Sequence, residues 1–311
     1  MGHKLPVLGD RLKRYPLAQN PNTAARIHGM RDLWLSERMT RRSSVAGWPL
    51  ALVLSMTIHA HSAELVHLYA AGSLREPLDE AAKTFESATG VKVETKYGPS
   101  GLLKDAIASG ADADVFASAK IEHPRALAQA GRSGPVVLFA RNRLCALVRP
   151  GLAVDASNLL DRMLDPAIKL GTSTPKSDPS GDYAWEVFGK ADRIKPGAGA
   201  ALEAKALQLM GGASSPPAPA NRVIYGALVA DDKANIFLVY CTGALAAQRE
   251  NPGQQIVQLP DALAVGADYG LTVMLKSPPA AYRLAMFILA DGQRMLAKYG
   301  FAAPNLQSAV P

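Results

Sequence analysis

Cysteine, histidine and long apolar runs are scarce in this 311-residue chain, and each scarcity closes off a class of function. Two cysteines, Cys145 and Cys241, are too few for a disulfide scaffold and lack the Cys-x-x-Cys spacing of a zinc site. In an oxidising compartment they could form one bridge; otherwise they are two separate small buried residues. Of six histidines only His67 and His123 lie beyond residue 63. His67 falls inside an apolar strand, and a catalytic imidazole needs a positioned partner, so neither is expected to act as a general base. Asp112 and Asp114 flank Ala113 and read as solvated or capping groups, so no metal is assigned to them. The dinucleotide fingerprint, the phosphate-cradling Gly-x-x-x-x-Gly-Lys-Ser/Thr loop and His-Glu-x-x-His are all missing. Gly98-Pro99-Ser100-Gly101 is one residue short of a Gly-x-Ser-x-Gly nucleophile elbow.

Charge of one sign is also missing from most of the chain. The formal +7 invites a nucleic-acid reading, but the first 63 residues hold nine of the 34 basic and three of the 27 acidic residues. From Glu64 onward the body is nearly neutral, and no nucleic-acid partner is expected. The N-terminal segment has the grammar of a secretory signal instead: Arg41-Arg42, an apolar run of about 14 residues from Val45 to Ile58, and small residues from Ala60 to Ala63. That run is short of the roughly 20 residues that span a bilayer. Residues 1–63 are therefore read as an N-terminal extension and signal peptide, with translation starting at Met39 or Met30, and the protein as exported to the periplasm. No cysteine follows the apolar run, which argues against a lipid anchor.

From Glu64 the pattern alternates strand and helix. Leu65 to Ala70 is a short apolar strand, and Leu74, Leu78, Ala81, Ala82 and Phe85 recur at helical spacing before Gly90 ends the helix. Val91 to Tyr97 alternate as a strand, a second helix presents Leu102, Leu103, Ala106 and Ile107, and Asp114 to Ala119 reads as a third strand. Such units predict a mostly parallel sheet with helices on both faces. Val136 to Val148 reads as a long strand broken by Arg141-Asn142-Arg143 and crossing into a second domain. Ile168 to Thr172, Ile236 to Tyr240, Gln255 to Leu259 and Tyr269 to Leu275 are further strands, Ser180-Gly181 opens a helix, Gly211 to Pro219 is a loop, and Pro279 to Tyr299 is helical.

One feature recurs: a strand ends, a short turn rich in Gly, Ser or Pro follows, and a helix starts at once. It occurs at Gly72-Ser73, Pro99-Ser100-Gly101 and Pro179-Ser180-Gly181. Helix N-termini offer unpaired N–H groups and a positive dipole end, and a serine adds a hydroxyl donor, so three aimed at one point make an anion site without lysine or arginine. Taken singly, each serine is explained as an N-cap. Together, at the strand ends of an open α/β sheet, they stand where ligands gather.

These residues also carry a resemblance. Tyr69-Ala70-Ala71-Gly72-Ser73-Leu74, Gly90-Val91-Lys92-Val93, Tyr97 to Gly101, Gly110 to Ala119 and Leu296 to Phe301 resemble, in order and spacing, the molybdate-binding proteins of ABC uptake systems. The resemblance covers residues 64–303. It implies a periplasmic binding protein-like fold, in which two α/β lobes with mixed, mostly parallel sheets are joined by crossing hinge strands. The lobes would comprise residues 64–143 plus 243–311, and 144–242. It implies capture of molybdate or tungstate with no cofactor, no directly coordinated metal, a membrane permease as partner, and a monomer.

Carried over by position, the ligand-holding residues are Ser73, Ser100, Ser180 and Tyr240. Ser180 stands where the family has alanine, in a turn made more polar by Ser177 and Asp178. A further contact falls near Arg222, which would add a formal positive charge or else face solvent. The same alignment puts Cys145 and Cys241 on the two crossing strands and implies a disulfide. Rival readings are the same fold binding sulfate, phosphate or an organic acid, an enzyme using Ser73 or Ser100 as nucleophile, and a ligand-sensing domain.

Overall fold

The computed structural model describes residues 64–216 and 222–304; the signal-like segment and the end of the proline-rich loop lie outside the described residues. The elements are β1 (Leu65–Ala71), α1 (Arg75–Thr89), β2 (Lys92–Gly98), α2 (Ser100–Ala108), β3 (Val115–Ser118), α3 (Glu122–Gln129), β4 (Val137–Val148), α4 (Leu159–Leu164) and β5 (Leu170–Ser173). There follow α5 (Pro179–Ile194), α6 (Ala198–Lys205), β6 (Leu207–Met210), α7 (Ile224–Ala230), β7 (Ile236–Tyr240), α8 (Cys241–Glu250), β8 (Gln255–Gln258), β9 (Gly266–Val273), α9 (Pro279–Leu289) and α10 (Gly292–Lys298).

The strands join in the order β2-β1-β3-β9-β4-β7-β5-β6, with β8 paired to β4 off this path. Pairing is parallel for β1 with β2 and β3 and for β5 with β6 and β7, and antiparallel wherever β9 or β4 takes part. The sheet is thus mixed, as a βαβ chain interrupted by two long return strands must be. The strand β4 unites its halves. Residues Val137 to Arg143 pair with β9, and Leu144 to Val148 pair with β7 on one side and β8 on the other.

Both faces of the central strands are covered, which is why these read as apolar runs, whereas the edge strand β2 alternates and is half-buried or exposed throughout. In β1, Val66, Leu68 and Ala70 join the core under α1 and α9, while Tyr69 packs with Leu103, Ile107 and Phe116 on the α2 and α3 side. In the second half Leu144, Ala146, Leu238 and Tyr240 face the main core, and Cys145, Leu147, Phe237 and Val239 the other side. Gly90 ends α1 with φ 73°, its N–H donating to the Glu86 carbonyl, a left-handed cap open to glycine at little cost.

Several expectations need correction. Strand β4 is not broken at Arg141-Asn142-Arg143: all three pair with β9, and the irregularity lies between Leu138 and Ala140. Asn142 reads as a loop residue in sequence, but its side chain is buried and bonded to Thr242 and Tyr269, which lets a polar residue sit mid-strand. The C-terminal helix is two helices, parted at Ala290. Cys241 is the first residue of α8 and not part of a crossing strand. Elements α3, α6, β6 and α8 carry no strong sequence signal. No helix among the described residues is long and apolar enough to cross a membrane.

Candidate ligand-binding cleft

A cleft of about 590 Å3 opens where the two halves of the sheet face each other, lined by Ser73, Ser100, Asp178, Arg222, Tyr240 and Arg249 among others. Ser73 lies in a single 3-10 turn after β1, and Ser100 is the first residue of α2. None of the three candidate serines is the cap of its helix. Pro99 occupies that position for α2 and Asp178 for α5, where its carboxylate accepts from the Ser180 N–H at 3.1 Å. Ser100 is fully buried, and its oxygen accepts from the Ala119 N–H at 3.1 Å, which leaves the hydroxyl proton free to point into the cleft. Ser73 pairs with the Tyr269 hydroxyl at 3.0 Å, and Asn142 donates to that same hydroxyl at 3.4 Å.

Tyr240 ends β7 with its ring 5.8 Å from that of Tyr269 and 6.3 Å from that of Tyr183. It is 3% exposed, and its hydroxyl makes no hydrogen bond of normal geometry among the described residues, although its interaction with Tyr269 partly opposes the rise in that residue's pKa. Burial raises the pKa of Tyr183, Tyr240 and Tyr269, so each phenol stays protonated at neutral pH. Ser180 is also fully buried with an unpartnered hydroxyl, but it is not among the cleft-lining residues. Asp178, two residues earlier, is on the wall; burial raises its pKa, opposed in part by the Ser180 N–H. Arg222 also lines the cleft, half exposed, 3.7 Å from Glu250.

A disulfide joins Cys145 of β4 to Cys241 of α8, with the Cα atoms 4.9 Å apart. Because Tyr240 lies directly opposite Leu144, the bridge pins the strand end that carries the tyrosine. The rims of the cleft touch as well. Gly101 N–H donates to the Ser177 carbonyl at 3.0 Å, Lys120 bonds Asp182 at 2.7 Å, and the Tyr183 hydroxyl donates to the Ala119 carbonyl at 3.3 Å. A methyl group at Gly101 would lie 2.7 Å from the Ser177 carbonyl oxygen, so only glycine permits this approach.

The remaining titratable groups lie elsewhere. His67 faces Glu94 at 3.5 Å and Asp112 at 3.4 Å, close to the N-terminal end of β1. His123, buried beside Lys120, is pushed down to about 4 chiefly by burial and is neutral. Among the described residues no group of three or more His, Cys, Asp or Glu is placed to hold a metal ion.

Residues 66–302 match the family model described as bacterial extracellular solute-binding protein. The chain belongs to that family. It is 32% identical over 243 residues to "Uncharacterized protein PM1146" of Pasteurella multocida, covering 77% of this chain and 99% of that protein. It is 28% identical over 247 residues to "Molybdate-binding protein ModA" of Mycobacterium tuberculosis (strain H37Rv), covering 78% of this chain and 86% of the relative. Among solved structures, the sulfate-binding protein SubI from Mycobacterium tuberculosis superposes with TM-score 0.64 at 20% identity, over 78% of this chain and 88% of that one. PEB3 bound to L-phospholactate superposes with TM-score 0.58 at 16% identity, over 76% and 99%. Both show that this solute-binding chain has a periplasmic binding protein-like fold.

Tyr269, Asn142, Asp178 and Arg249 are cleft or supporting residues that sequence reasoning missed. Tyr269 is visible only as a strand residue, because its partner Ser73 lies 196 positions away. Asp178 leaves a trace, since Asp-Pro-Ser-Gly is a helix start with proline at the first position.

Proposed function

We propose that this solute-binding protein captures a tetrahedral oxyanion between the two halves of its sheet and delivers it, from the periplasm, to an ABC permease. The supporting observation is the pair of buried hydroxyls on the wall of one cleft, Tyr240 with no hydrogen bond of normal geometry among the described residues and Ser100 with its proton left to donate. An unsatisfied buried hydroxyl costs about 1–3 kcal/mol, which a ligand oxygen accepting from it would offset. Ser73 and Tyr269 extend the donor set, and neutral donors can hold an anion without a counter-charge.

Molybdate and tungstate are the first candidates, in keeping with the name of the Mycobacterium tuberculosis ModA relative. Sulfate, phosphate or an organic acid is the second reading, in keeping with the names of SubI and PEB3. In this account the protein is a monomeric, cofactor-free binding protein and not an enzyme. Its lobes are residues 64–143 plus 243–311, and 144–242, closing over the ligand by a hinge movement. Calorimetric titration of the full chain with molybdate tests the site: Tyr240→Phe should weaken binding by about fivefold to tenfold, the loss of one hydrogen bond. Unchanged affinity in that variant would remove Tyr240 from the site.

A further inference from the structure

Along one side of the cleft runs α8. Its residues Thr242, Ala246 and Arg249, four and three positions apart and so on a single helix face, line the space together with Gly243. From Thr242 to Arg249 the helix climbs about 10 Å at 1.5 Å per residue. Tyr240 and its buried hydroxyl precede the first turn; Arg249 closes the last. Arg249, an exposed residue, lines the cleft from that last turn.

Arg222 also lines the cleft, and its ion-pair partner Glu250 follows Arg249 directly in α8. Glu250 holds Arg222 at 3.7 Å and accepts from the Val223 N–H at 2.7 Å, which fixes the segment that follows the loop. Arg249 pairs with no carboxylate among the described residues. The lining also holds the apolar Leu102, Met210, Val223 and Ile224 and the charged Arg75 and Glu76. The hydroxyl donors around Tyr240, before the first turn of α8, and the two guanidiniums by its last turn form two polar poles of the cleft.

A bare tetrahedral anion fits only one of them. Four oxygens fill about the room of four waters, on the order of 120 Å3 at about 30 Å3 each, against a cleft of about 590 Å3. Cavities of several hundred Å3 suit whole organic molecules. We propose that Arg222 and Arg249 form a second anion pole, and that the ligand is a tetrahedral oxyanion group on a short organic body ending in a carboxylate. This rests on the oxyanion reading of the hydroxyl pole and names the substrate class for that same site. Arginine suits the carboxylate end, because its planar fork binds a carboxylate through two parallel hydrogen bonds.

The test titrates the full chain with 3-phosphoglycerate, inorganic phosphate and molybdate, in wild type and in the Arg222→Gln/Arg249→Gln double variant. The expected result is that phosphoglycerate binds wild type at least about tenfold more tightly than either inorganic anion, and that this ratio collapses in the double variant. A ratio near one in wild type, or a ratio the double variant leaves intact, overturns the second pole while leaving oxyanion capture standing. Binding of none of the three would overturn both.

Discussion

Asp178 stands where a negative charge is least expected, on the wall of a cleft built from hydroxyl donors. Its carboxylate caps α5, and burial raises its pKa, so the folded protein holds that proton more tightly than the unfolded chain does. The sign follows directly: the group costs nothing at pH well below its ordinary value of about 3.9, and the cost grows as pH rises through the folded value. Asn caps a helix about as well as Asp. Asp178→Asn should therefore match wild type near pH 3 and gain on it toward pH 7 in denaturant melts. It should also bind oxyanions more tightly at neutral pH, by removing a like charge. A variant that weakens binding would mean that the carboxylate accepts a hydrogen bond from the ligand. At this scale Ser73 and Ser100 stood out because each sits where a strand gives way to a helix, whereas Tyr240 was implied only by the family resemblance. Tyr269 and Asn142 did not stand out, since their role is to orient groups a hundred or more residues away in the chain.

At the scale of elements, β4 links everything that matters. Its first half belongs to the β9 side of the sheet and its second half to the β7 side, and Cys145 sits just past the change. The bridge to Cys241 closes a loop of sequence separation 96 and fixes the start of α8, the helix that lines the cleft. Constraining so long a loop in the unfolded chain contributes about 2–4 kcal/mol. Cys145→Ala/Cys241→Ala, or reduction, should lower the unfolding free energy by that amount and weaken anion binding, as followed by chemical denaturation and titration. A loss in stability with unchanged affinity would separate the bridge from the site. The pairing was implied by family resemblance and not by spacing. The same limit applies to β4: its polar triplet looks like a break, and only the long-range partners Thr242 and Asp268 explain why it continues as strand.

For the whole molecule, the contacts across the cleft describe how its two sides meet. Gly101 against Ser177, Lys120 with Asp182 and Tyr183 against Ala119 join elements that follow β1 to β3 with the turn and helix that follow β5. The alternation of strand and helix was plain in the sequence, and so was the burial of both sheet faces. The curling of one mixed sheet so that its halves face each other was not, because it depends on β9 and β4 pairing antiparallel to strands far off in the chain. Central to this account is that a tetrahedral oxyanion binds where those halves meet. The most direct measurement is thermal unfolding of the full chain with and without molybdate, tungstate, sulfate and phosphate at matched ionic strength. An anion at about 100 times its dissociation constant should add roughly 2.7 kcal/mol, a rise in Tm of several degrees, with at least one of the four. A Tm unmoved by all four at millimolar concentration would contradict the account.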